Sequence, residues 1–158
     1  MITRYLPTFN QIEPENLLGL TMGYVVAQQA VAFDADAGTY GVPTVDRNGY
    51  KFIENGILCT LDDEGKIVSW EADKPLFVHF TEELNTICPE RKHFAVEAAE
   101  DETFLRLVAL VPGSIWTTNV ADADPAYAAA IAAGKIAVIN DEAVLPAGGA
   151  AKTYICLA

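Results

Sequence analysis

Short apolar, β-prone segments follow one another along this chain, and turn-forming residues separate them about every dozen residues. The clearest pair is 56–61 and 66–70, which flank the turn Asp62-Asp63-Glu64-Gly65. Gly65 can adopt the left-handed backbone conformation that such a hairpin loop requires. We therefore predict a mainly β fold, a compact barrel or sandwich, with one short helix and an N-terminal arm.

Further strands are predicted wherever apolar residues cluster between turn signals. The segments are 24–33, 76–81, 94–98, 103–111, 114–119, 135–139, 143–145 and 153–157. The strand at 76–81 carries bulky side chains on both faces, which indicates burial on both faces or contact with a neighbouring subunit. Residues 38–49 are rich in Gly and predict a loop, and 140–142 predict a turn between two strands.

One helix is predicted near the C-terminal end of the sequence. Asp124 is a favourable N-cap, and Pro125 at the first helical position is preorganised for a helix. Gly134 can end the helix in a left-handed conformation. Tyr127 and Ile131 are four residues apart and are expected on one face. A helix this short must pack on the sheet to be stable.

The length and charge of the chain restrict its class. With 158 residues, of which 51% are hydrophobic, it fits one β-rich domain, predicted at 23–158, preceded by an arm at 1–22. Ten Lys and Arg against 22 Asp and Glu give a formal charge of -12. Nucleic acid and anionic membranes are therefore not expected as partners, because both require basic surfaces.

Residues 1–22 differ from the rest because neither the helical nor the strand period persists there. Two interpretations remain open: an irregular segment that covers one end of the domain, or an arm that becomes ordered on a partner. Under the second interpretation, the partner-binding side chains are the scattered apolar ones, namely Tyr5, Leu6, Phe9, Ile12, Leu17 and Leu18.

The cysteines, Cys59, Cys88 and Cys156, are odd in number and widely spaced. Each lies in an apolar context, so we expect small buried side chains rather than a disulfide framework. The first residues lack the charged and apolar regions of a signal peptide, and no apolar stretch has the length of a membrane span. Synthesis in a cytoplasm is therefore expected.

Motifs that carry chemistry are scarce, so no catalytic, cofactor-binding or metal-binding residue is predicted. His79 and His93 are the two histidines, and no G-x-S-x-G accompanies them. Neither Gly65-Lys66 nor Gly134-Lys135 continues as a phosphate-binding loop. The spacing of His79 and His93 with Cys88 matches no zinc pattern. The sequence therefore predicts that the protein is not an enzyme.

Three segments resemble small phage head-decoration (capsid cement) proteins. They are the hairpin at 54–68, the segment 106–119 with Val111-Pro112-Gly113-Ser114-Ile115-Trp116-Thr117-Thr118-Asn119, and the segment 133–139 with Gly134-Lys135. They lie in the residue order from about Asn55 to the C-terminus, roughly two thirds of the chain, over which the resemblance extends. Residues 1–50 add little to it, and the Pro-containing arm and the Ala-rich helix depart from the small decoration proteins.

This resemblance implies a non-enzymatic virion protein that binds the outside of an assembled phage capsid. Its implied partners are the major capsid protein and further copies of itself, most often as a trimer, with an arm that reaches a neighbour. Two alternatives stay open: a phage tail or neck component, and a small carbohydrate-binding module. The second would use Trp70 and Trp116 as exposed platforms for a sugar.

Overall fold

The computed structural model describes the backbone of residues 5–7, 12–16, 25–28, 45–47, 50–63, 65, 67–80, 82–83, 92–97, 105–145 and 149–158. Side chains are described at 53–63, 65, 67–80, 106–145 and 149–158.

The described residues form short strands and one α-helix. The strands are β1 (Tyr5–Pro7), β2 (Ile12–Asn16), β3 (Val25–Gln28), β4 (Val45–Arg47), β5 (Tyr50–Ile53), β6 (Leu58–Leu61), β7 (Ile67–Ser69), β8 (Phe77–His79), β9 (Glu82–Glu83), β10 (Lys92–Glu97), β11 (Leu105–Ala109), β12 (Ile115–Thr118), β13 (Ile136–Val144) and β14 (Ala150–Cys156). A 3₁₀-helix at Val120–Asp122 precedes α1 (Pro125–Ala132).

All strand pairings are antiparallel. One sheet has the order β1-β10-β5-β4, with β9 also paired to β10. A second has the order β3-β11-β8-β6-β7, and a third the order β13-β14-β12-β2. The predicted mainly β class with one helix is therefore confirmed. Among the described strands no sheet closes on itself, which fits the predicted sandwich rather than the predicted barrel.

The predicted central hairpin is confirmed as β6 and β7, paired with Thr60 opposite Val68. Gly65 has φ of 82°, and its N–H bonds to the Asp62 carbonyl at 3.0 Å. The glycine therefore closes the turn in the left-handed conformation that its position demands.

The predicted helix is also confirmed, with Asp124 as N-cap and Pro125 in its first turn. Gly134, with φ of 72°, follows its C-terminal end. Of the two residues expected on one face, Tyr127 is buried and Ile131 is 43% exposed. The buried residues of the helix are Ala126, Tyr127 and Ala130, and Ile131 lies outside this buried face.

Two predictions of local structure are wrong. The predicted turn at 140–142 does not interrupt the chain, since β13 continues from Ile136 to Val144. Its register against β14 shifts on either side of Asn140, so bulges accommodate polar residues that read as a turn in the sequence. The predicted loop at 38–49 contains β4, whose residues pair with β5 despite the nearby glycines.

The core lies where the second and third sheets meet α1. It contains the fully buried Leu58, Val78, Leu107 and Trp116, together with Tyr127 from the helix. In β8, Phe77 is half-buried while Val78 and His79 are buried, which confirms the prediction of burial on both faces for this strand. The core thus holds α1 and the strand that follows it, β13, in fixed positions.

Candidate interaction surface

A buried polar junction joins α1 to the loop between β5 and β6. The Tyr127 hydroxyl donates to the Gly56 carbonyl oxygen at 2.6 Å and accepts from the Trp116 indole nitrogen at 3.1 Å. One carboxylate oxygen of Asp124 accepts from the Ala126 N–H at 3.0 Å, as an N-cap does. The other accepts from the Leu58 N–H of β6 at 2.9 Å. The junction therefore ties the helix to residues far away in sequence.

The Asp124 side chain is an acid in an apolar setting. Burial raises its pKa to about 6, and the two N–H groups that it accepts from oppose that rise without cancelling it. Burial also raises the pKa of the nearby Cys59 thiol, with a smaller contribution from the Asp124 charge. Cys59 is therefore a neutral thiol rather than a thiolate nucleophile.

His79 lies on the opposite side of the same loop. Its ring Nδ1 is 2.9 Å from the Glu54 carbonyl oxygen, and because a carbonyl only accepts, Nδ1 carries the proton. Burial lowers the pKa of His79 to about 4, so the ring is neutral near pH 7. The ring is fully buried against this loop.

The exposed apolar side chains concentrate on β13, and they mark the candidate surface. Val138, Ile139 and Val144 are 39%, 53% and 70% exposed. We call these three side chains, with the outer backbone of the strand, the β13 edge. β13 pairs with β14 and with no further strand among those described, so one row of its N–H and C=O groups faces outward.

Exposure increases steadily toward this edge. Trp116 lies opposite Tyr154, and Tyr154 lies opposite Val138, so the three side chains share one face of the sheet. The first two rings are buried and stacked, with centroids 5.8 Å apart. Val138 continues this apolar row beyond the point where the rest of the described chain covers it. Ile131 and Leu157 add exposed apolar area on neighbouring elements.

A small cleft lies beside the β13 edge. It has a volume of about 120 Å³ and opens between the β13–β14 hairpin and the 3₁₀-helix. Asp122 and Asp141 line it together with Lys152 and the Tyr154 ring.

The structure places the predicted arm residues in part. Tyr5 and Leu6 lie in β1, which pairs with β10. Ile12 lies opposite Thr118, in the third sheet, so this part of the predicted arm is hydrogen-bonded alongside β12. Phe9, Leu17 and Leu18 lie outside the described residues. The assignment of these six residues to partner binding stays a prediction.

The tryptophans do not form the exposed platforms that a carbohydrate-binding module would need. Trp116 is fully buried and donates its N–H to Tyr127, and Trp70 is 4% exposed and donates to the Lys74 carbonyl at 3.1 Å. That expectation is wrong because both rings belong to the core. Cys59 and Cys156 are buried free thiols as predicted, and Cys88 lies outside the described residues.

Sequence reasoning missed the β13 edge. The signal was present in the apolar residues Val138, Ile139 and Val144, but the acidic residues between them predicted a turn and divided the strand in two. That β13 ends a sheet is a property of the topology, which no local pattern reports.

Within the described side chains, no group of three or more His, Cys, Asp and Glu is placed to hold a metal ion. In the same part of the chain, none of the helical structure has the length and apolarity needed to cross a bilayer. Comparisons with protein-family models, with curated proteins and with solved structures returned no match.

Proposed function

We propose that this protein is a non-enzymatic structural protein of a phage virion, which binds the outer surface of the capsid and stabilises it. Its proposed partner is the major capsid protein, together with further copies of itself as a homotrimer. Synthesis in the host cytoplasm would precede addition to the capsid exterior.

The β13 edge is the observation that carries this proposal. Edge strands of soluble proteins are usually protected by lysine, proline or short length, because an open edge pairs with other chains. This strand has nine residues, ends the third sheet among the described strands, and exposes Val138, Ile139 and Val144. An extended segment of a coat subunit can add to such an edge through main-chain hydrogen bonds, without a deep pocket.

The net charge of the chain also supports binding to a coat protein. Its formal charge of -12 favours a basic partner surface and keeps many copies soluble at high local concentration. Asp141 and Glu142, both exposed, place part of that charge directly on β13. Weak docking of single copies can still produce firm attachment where a trimer meets several coat subunits at once.

The polar groups of the described core support a role without catalysis. Asp124 and Tyr127 serve as ties between elements, and the thiol of Cys59 is held neutral. All three are buried, so a substrate would have no access to them. Asp124, Tyr127 and Cys59 therefore stabilise the fold that positions β13.

Co-sedimentation with capsids tests the proposal. The probe is a capsid assembled from the major capsid protein of the phage that carries this chain, mixed with the full chain. Wild type is expected to sediment with the capsid. The double variant Ile139→Lys/Val144→Lys is expected to bind at least about tenfold more weakly, because lysines on an edge oppose strand addition.

Glu71→Gln/Asp73→Asn is the control for charge, since it changes the net charge by the same two units and both residues are exposed in the loop after β7. It should bind like wild type. No sedimentation of wild type contradicts the capsid role, and equal binding by the edge variant and wild type contradicts the assignment of that role to the β13 edge. Rings or tubes of the protein alone would instead favour a tail component.

A further inference from the structure

The cleft beside the β13 edge has the shape and chemistry to receive one side chain of a partner. Its volume is about 120 Å³. That is too small for a folded element or an oligosaccharide, but it fits the end of a long side chain. Asp141, one of the lining residues, belongs to β13 itself, so the cleft reaches the strand that forms the edge.

The lining is negative at the mouth and apolar inside. Asp122 and Asp141 are exposed carboxylates, while Ala121, Ala151 and the Tyr154 ring supply apolar surface. Long basic side chains bind such places by burying their carbon stems and leaving the charged end beside acidic groups. The planar guanidinium group of arginine can in addition stack on an aromatic ring and engage carboxylates from two sides.

Lys152 does not neutralise these carboxylates. Its amine forms no ion pair with Asp122 or Asp141 in the part of the chain that the structure describes. Burial raises the pKa of Tyr154 to about 12, and the Asp122 charge adds to that rise. An incoming cation therefore meets two available carboxylates.

The geometry points to a docking site for an arginine side chain of the partner segment that pairs with the β13 edge. This inference rests on the proposed function and specifies the chemistry of the partner: an extended segment with an arginine near the β13–β14 hairpin. The edge supplies main-chain pairing, and the cleft selects one basic side chain and thereby fixes the register of the two strands.

Nuclear magnetic resonance titration of the full chain tests the site without a capsid. The probe is N-acetyl-arginine methylamide, and its control is the uncharged citrulline analogue, which has nearly the same shape. The arginine probe is expected to shift the amide resonances of Ala121, Ala151 and Lys152 in a saturable way. The citrulline analogue is expected to bind about tenfold more weakly or not at all.

Two double variants complete the experiment. Asp122→Asn/Asp141→Asn removes both carboxylates from exposed positions and is expected to weaken arginine binding by about tenfold or more. Glu71→Gln/Asp73→Asn removes the same charge from the exposed loop after β7 and should leave binding unchanged. Equal shifts with arginine and citrulline, or unchanged binding in the Asp122/Asp141 variant, would overturn the inference.

The results also separate this inference from the proposed function. Saturable arginine binding together with no sedimentation of wild type with the capsid leaves the cleft assignment standing and removes the capsid role. Loss of capsid binding in the edge variant, with no arginine binding, overturns the cleft assignment alone.

Discussion

The Tyr127 hydroxyl donates a hydrogen bond to the Gly56 carbonyl oxygen at 2.6 Å, although 71 positions separate the two residues in sequence. The same hydroxyl oxygen accepts from the Trp116 indole nitrogen. One atom therefore satisfies two buried polar groups and connects α1, β12 and the loop before β6. This connection fixes the helix from which the chain enters β13.

Replacing this hydroxyl is expected to destabilise the protein. Tyr127→Phe keeps the ring against Tyr154 but leaves the Gly56 carbonyl and the Trp116 N–H without their partner. A buried group that loses its hydrogen bond costs about 1–3 kcal/mol, so the free energy of unfolding should fall by about 2 kcal/mol or more. Urea unfolding followed by tryptophan fluorescence measures it.

Tyr154→Phe is the matched control. Tyr154 belongs to the same aromatic cluster, yet its hydroxyl makes no hydrogen bond among the described residues. The control should change stability by less than about 0.5 kcal/mol. Equal destabilisation by both variants would contradict the role assigned to Tyr127.

Gly56→Ala is expected to be more damaging than its backbone angle alone suggests. Gly56 has φ of 95°, and an added Cβ would lie 2.7 Å from Thr118 Oγ1 and 2.9 Å from Val120 Cγ1. Gly134→Ala also places alanine at positive φ, but nothing lies within 4 Å of its Cβ. The control should lose about 1–2 kcal/mol, the cost of a left-handed alanine. Gly56→Ala should lose clearly more, measured as the difference in urea midpoints, and similar losses would contradict the close contact.

The buried Asp124 predicts a specific dependence of stability on pH. Its pKa is about 6 in the folded protein against 3.8 for an ordinary aspartate, so the folded state binds the proton more tightly. The resulting stability is fully present below pH 3.8 and is lost as pH rises through about 6. Relative to Asp124→Asn, wild type should therefore lose about 3 kcal/mol between about pH 4 and pH 7, since each pKa unit corresponds to about 1.4 kcal/mol.

His79 predicts the opposite slope over nearly the same range. Its pKa is about 4 in the folded protein against 6.5 for an ordinary histidine, so the unfolded state binds the proton more tightly. Its stability is present above pH 6.5 and is lost as pH falls through about 4. Relative to His79→Gln, wild type should gain stability as pH rises. Unfolding curves measured at several pH values would contradict both assignments if all three proteins changed in parallel.

Local chemistry in the sequence was sufficient to predict several elements. The turn at Asp62–Gly65 and the helix between Asp124 and Gly134 each depend on residues within a few positions of one another. The β13 strand was predicted less well, because Asn140-Asp141-Glu142 has the composition of a turn. Pairing with β14 overrides that local preference through the bulges that flank Asn140.

The sequence by itself determined that the chain folds as a mainly β domain with one capped helix, because hydrophobic pattern, turn residues and capping act over short distances. Only the tertiary structure decided that Asp124 also accepts from the Leu58 N–H, that Trp70 and Trp116 are buried, and that β13 is the last of the described strands in its sheet. The physical reason is that burial, edge position and cleft shape arise from contacts between distant segments, whose relative placement no local pattern specifies.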